Sequence, residues 1–86
     1  MVTCSYIVEY RGFMHIIRVS GNIISDRYRG VEYGIIIGDP EGDKAYIKTM
    51  DIELRIANDV LIDLLLDTFS HVLKRGKLVE VRCDER

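Results

Sequence analysis

Residues 58–76 read NDVLIDLLLDTFSHVLKRG. Polar residues recur at 59, 63, 67, 70–71 and 74, a spacing near one helical turn, which predicts an amphipathic helix. Asn58 or Asp59 suits its start, because a short side-chain oxygen accepts from the first unpaired backbone amides. Lys74 and Arg75 fall in the last turn and Gly76 follows, the charge and breaker signals of a helix end. Such a helix is too apolar to stand alone. Val60, Leu61, Leu64, Leu65, Val72 and Leu73 are expected to lie across a sheet face.

The sheet is legible on both sides of the helix. Val2, Cys4, Tyr6, Val8 and Tyr10 share one parity while Thr3, Ser5 and Glu9 share the other, the period of a strand with one buried face. Arg11-Gly12 separates this strand from FMHIIRV, which is rich in β-formers, and Gly21-Asn22 has the Gly-first order of a tight hairpin turn. DRYRG (26–30) is polar and reads as a loop or strand end. VEYGIIIG resumes β character, and its unbroken Ile35-Ile36-Ile37 points to a central strand covered on both faces. Asp39, Pro40 and Gly42 stand in the residue order of a type I turn, with KAYIKT as the outgoing strand. In MDIELRI (50–56) Met50, Ile52, Leu54 and Ile56 alternate with Asp51, Glu53 and Arg55, which argues for a strand; the competing reading starts a short helix at Asp51. KLVEVRC closes the chain as a strand. The result is one small α+β domain over 1–86, a mostly antiparallel sheet of hairpins packed on one long helix, with a final strand.

Charge is unevenly spread. The net −2 divides into +1 over residues 1–38, −5 over 39–70 and +2 over 71–86. A chain built to grip a phosphate backbone shows the opposite bias, so composition argues against a nucleic-acid partner. No apolar run exceeds three residues, which excludes a helical membrane span, and the first ten residues lack the pattern of a secretory signal. Scarce amides with abundant Ile, Arg and Glu resemble thermophile composition. Cys4 and Cys83 lie near opposite ends, form no CxxC pair and have no companions at zinc-ligand spacing. They are expected to be reduced, in a cytoplasmic setting.

The candidate sites are acidic. Asp39, Glu41 and Asp43 in the hairpin turn, with Asp51 or Glu53 approaching, form the first candidate for a hard cation such as calcium. A helix–loop–helix calcium loop is rejected, because counting from Asp39 puts Lys44 where its glycine belongs and Met50 where its last acid belongs. Asp59, Asp63 and Asp67 line one side of the helix as an alternative ridge, which His71 extends; acids near a helix start also serve its dipole. Arg27, Tyr28 and Arg29 are the one basic–aromatic cluster, an alternative grip for single-stranded nucleic acid. His15 shares parity with Phe13 and Ile17 and reads as a core or edge histidine. No nucleophile, base and acid share a local signature, so no enzymatic activity is expected.

In layout and acidic middle the chain resembles small archaeal, methanogen-type α+β proteins described as calcium-binding. The resemblance implies an acidic cation site and assigns no residue. Two functions follow as expectations: a binding or interaction module that takes up divalent cations weakly, or a homodimer or assembly subunit with no small ligand. A β-sheet RNA-binding module is the third.

Overall fold

The computed structural model describes residues 1–85. The strands are β1 (Val2–Tyr10), β2 (Phe13–Ser20), β3 (Ile23–Tyr28), β4 (Val31–Ile36), β5 (Lys44–Lys48), β6 (Glu53–Ile56) and β7 (Lys77–Glu85); the helix α1 spans Asp59–Arg75. All seven strands form one sheet in the order β6-β5-β4-β3-β2-β1-β7, antiparallel throughout. The α+β layout is therefore as the hydrophobic periodicities predict. Strands one to six form a meander, and α1 carries the chain back across it so that β7 pairs with β1.

Register decides which residues share a face, since directly opposed residues in antiparallel strands point the same way. Tyr6, Ile17, Asp26, Tyr33, Ile47 and Leu54 lie in one row across six strands. This row and the next face α1. The helix runs diagonally: Ile62 and Phe69 pack with Ile35 and Ala45, while Val72 packs with Val8 and Ile17. Asn58 is the cap, its side chain accepting from the Leu61 amide.

Three expectations need correction. The helix presents Ile62, Phe69 and Val72 to the sheet, with Leu61 and Leu65 half-buried, whereas Val60 is 80% and Leu64 60% exposed and Leu73 is also exposed. Polar spacing located the helix but set its rotation a turn-fraction too wide. β4 is central, yet only its α1 side is covered: Ile35 is buried, Ile36 half-buried and Ile37 exposed. Residues 26–28 of DRYRG belong to β3, and Asp26 is wholly buried.

Local chemistry explains the turns. The Gly42 amide donates to the Asp39 carbonyl at 2.8 Å, closing the turn that Asp39, Pro40 and Gly42 predict. Arg11-Gly12 and Arg29-Gly30 are both two-residue turns with φ of 51°, 80° and 52°, 78°. The twist of a tight hairpin demands this left-handed pair, and for arginine it costs on the order of 1 kcal/mol. Gly76 is needed for space: it has φ −74°, and a Cβ there would collide with the Val8 side chain and the Val72 carbonyl.

The cysteines are joined, Cys4 to Cys83, against the expectation of reduced thiols. The cause is register: β1 and β7 are neighbours, and Cys4 lies directly opposite Cys83 with Cα atoms 4.1 Å apart. A bond across a sequence separation of 79 restricts the unfolded chain strongly, by roughly 4 kcal/mol in the chain-entropy view. Dithiothreitol should therefore lower the melting temperature sharply, and amides of β7 should gain exchange before those of β4. An unchanged melting temperature after complete reduction would show that the β1–β7 ladder holds unaided.

Candidate functional site

The row that faces α1 carries one charged residue. Asp26 is 0% exposed, and its Oδ2 lies 2.6 Å from His15 Nδ1 and accepts from the Tyr33 hydroxyl at 2.6 Å. Its Oδ1 is buried with no hydrogen-bond partner among the described residues. A buried carboxylate survives only with strong partners, and here two adjacent strands supply them. Burial, with Asp26 beside it, raises the Tyr33 hydroxyl well above the ordinary tyrosine range. Neither β3 nor β2 places a nucleophile here: the flanking Ser25 faces the other side of the sheet.

Rings continue from this network toward the Arg-Gly turns. His15 stacks on Tyr28 with centroids 4.7 Å apart and planes at 6°, and Phe13 meets Tyr28 edge-on at 5.5 Å. Tyr10 meets His15 and His71 edge-on, at 6.1 and 5.7 Å. Of the basic–aromatic cluster, Tyr28 lies on the α1 side, Arg29 sits in the turn over the Phe13 ring, and Arg27 lies on the opposite face.

The acidic turn is occupied by the protein's own cation. Lys44 Nζ donates to Asp39 at 2.7 Å and to Glu41 at 3.0 Å, and Asp43 accepts from the Gly38 amide at 2.7 Å. The Lys44 bond is the main reason that the Asp39 carboxyl titrates below its ordinary range. Glu53 pairs with Arg55 at 3.3 Å, and Asp51 stands exposed in a turn whose amides bond to Thr49 Oγ1. Asp59, Asp63 and Asp67 stay on the exposed side of α1. Among the described residues no three His, Cys, Asp or Glu side chains gather as a metal site.

Another unsatisfied feature is apolar. Beyond the helix, between α1 and the β5–β6 edge, a groove of about 270 Å³ is lined by Tyr33, Ala45, Ile47, Ile56, Leu61 and Leu65. Beside it Leu54, Ile56, Val60 and Leu64 are 44–80% exposed. β6 is the outermost strand, so its free backbone edge faces solvent along this flank. Stretch 50–56 thus resolves as a strand from Glu53, preceded by the Thr49 turn.

Sequence reasoning missed this flank because Leu54 and Ile56 alternate as any half-buried strand does; only the sheet order makes them an edge. Asp26 was hidden among polar neighbours, although its shared parity with Ile24 and Tyr28 was a usable signal. No helix is long and apolar enough to cross a membrane among the described residues. No family model matches the chain, and comparison with curated proteins and with solved structures found no match.

Tyr46, whose hydroxyl donates to Glu32 at 2.9 Å, is pushed up to about 12 by burial. The unfolded chain loses this proton near 10.0 and the folded chain does not, so stability is intact below that pH and falls as pH rises toward 12. Tyr33, raised too, extends the fall. Melting temperatures across this window should drop steeply, and Tyr46→Phe should flatten the slope. An unchanged slope in that variant would place the alkaline sensitivity elsewhere.

Proposed function

We propose that this chain is a small non-catalytic assembly module that joins a second copy of itself through the open edge of β6. One observation carries the reading: Ile52-Glu53-Leu54-Arg55-Ile56 is a chemical palindrome on an unprotected edge. A two-fold axis at Leu54 sets Leu54 opposite Leu54 of the second copy. Glu53 then faces Arg55 twice, and Ile52 faces Ile56 twice. Opposed residues share a face, so Leu54 and Ile56 stay on the α1 side and both ion pairs on the other, with Ile52 joining the ladder from the turn before β6.

Edge strands are ordinarily blunted by short length, charge, proline or a bulge. β6 is short and carries Glu53 and Arg55, but it has no proline or bulge and its two charges complement each other across the two-fold. β7, the other edge, has a register irregularity against β1 at Ile7/Val8 and charges at Lys77, Glu80, Arg82, Asp84 and Glu85. Four residues of ladder are too few to hold two chains, since a specific interface buries about 800 Å² on each partner. The apolar flank beside β6, with Ile47, Val60 and Leu64, supplies the remainder. Calcium uptake at residues 39–43 is not favoured by this geometry, because a cation there has to displace the Lys44 ammonium. Cytoplasmic placement remains part of the proposal: the thermophile-like composition is compatible with it, and intracellular disulfides are common in hyperthermophiles.

Sedimentation equilibrium of the intact protein tests this. The native chain should weigh as a dimer at micromolar concentration. Leu54→Lys sets two ammonium groups face to face and should weaken association tenfold or more, about 1.4 kcal/mol, while the circular dichroism of the variant stays native because Leu54 is 53% exposed in a single chain. Glu53→Arg should weaken it as well, and adding Arg55→Glu should restore it. A native monomer, or a dimer indifferent to all three variants, rejects the β6 interface.

A further inference from the structure

Arg11 and Arg29 occupy the first position of their two-residue turns with φ 51° and 52°. Asn, Asp or Gly takes this conformation more easily. Alternate turns of a meander fall at the same end of the sheet, so both strained arginines stand together, and strain held at two matched surface positions points to a use. Each guanidinium lies over a ring: Arg11 5.4 Å from the Tyr10 centroid and Arg29 5.7 Å from that of Phe13. Phe13 is 46% exposed.

The rings behind them are already ordered. Phe13 abuts Tyr28, Tyr28 stacks on His15, and His15 is held by the buried Asp26. A ligand ring that lands here meets a surface with little rotamer freedom left to lose. Beside Tyr10 a groove of about 340 Å³ runs along α1, lined by Tyr10, Asp67, Thr68, His71 and Val72. The helix ends at this same end of the sheet, since Gly76 packs on Val8 and Glu9 and Lys77 pairs with Glu9. Lys74 and Arg75 thus reach this end with Arg11 and Arg29, while Glu9 and Lys77 pair on the opposite face of the sheet; Asp67 lines the groove and Asp26 lies beneath the rings. The −5 of residues 39–70 does not describe this corner, although the strands there also bring Glu32 and Lys48 to the same end of the sheet.

We propose that this end binds single-stranded nucleic acid, with bases stacking on Phe13 and Tyr10 and the arginines turning from the rings to the flanking phosphates. Ring faces paired with guanidinium groups suit unstacked bases joined by phosphates. A duplex hides its base faces, and an acidic peptide has no use for the rings.

The test is fluorescence anisotropy of the intact protein with labelled oligo-uridine and oligo-thymidine of about 8 nucleotides, one binding site's length, at low salt. Binding of either supports the proposal, and a preference between them reports whether the 2′-hydroxyl is read. Arg11→Gly and Arg29→Gly are the decisive variants, because glycine accepts the turn's φ. Each should weaken binding about fivefold or more and lower the logarithmic salt slope by about 0.7, while melting temperature holds or rises. Phe13→Ala should weaken binding about tenfold. Wild-type affinity in both glycine variants overturns the proposal, as does failure of both oligonucleotides to bind. Competition by polyphosphate or polyglutamate as strong as by the oligonucleotide also overturns it, since charge alone then suffices.

Discussion

One helix cannot cover a seven-stranded sheet. At about 4.8 Å per strand the sheet is close to 30 Å wide, while a helix with its side chains spans about 10 Å. α1 resolves the mismatch by lying diagonally, from Ile35 and Ala45 at one side to Val8 and Ile17 at the other. Its diagonal leaves two places bare on the same face: the β5–β6 flank beside its start, and the ring surface by the Arg-Gly turns beside its end. Both proposals follow from that single deficit of cover, one apolar and one aromatic and basic.

The two bare places are finished differently. At the flank the side chains are aliphatic and the strand edge is open, so it remains unsatisfied in a single copy. At the turn end, Asp26 stiffens the surface from below: its bonds to His15 and Tyr33 tie β2, β3 and β4 together under α1. A buried carboxylate is a costly way to fix three strands, and its bare Oδ1 adds to that cost. What it achieves is a single orientation for His15, and hence for the rings stacked outward from it.

Local rules carried most of the fold. The Asn58 cap, the Asp39–Gly42 turn and the period-two strands are set by neighbours within a few residues, and each forms as its residue types require. Contacts between strands were out of reach. Cys4 and Cys83 meet only because α1 delivers β7 to β1, a fact carried by topology and by no spacing. The rotation of α1 was misread because Val60, Leu64 and Leu73 are as apolar as the residues that pack, and only the contacts with the sheet choose between them. Of the acids singled out, Asp39 and Glu41 meet at Lys44, whose position in the next strand made it an internal counter-ion, while Asp43 turns to the Gly38 amide. The basic–aromatic stretch was half legible: Tyr28 and Arg29 belong to the ring surface, whereas its partners Phe13, Tyr10 and Arg11 come from the neighbouring hairpin.

Hydrogen exchange at the amides of residues 53–56, followed as a function of protein concentration, tests most directly whether the deficit of cover is met by a second copy. Alternate amides of β6 point away from β5 and are open to water in a single chain. Self-association through this edge predicts that those amides become protected as concentration rises and lose protection on dilution, while β4 amides stay protected throughout. Fast exchange of the outward amides at every concentration would contradict the account and leave the flank uncovered in solution.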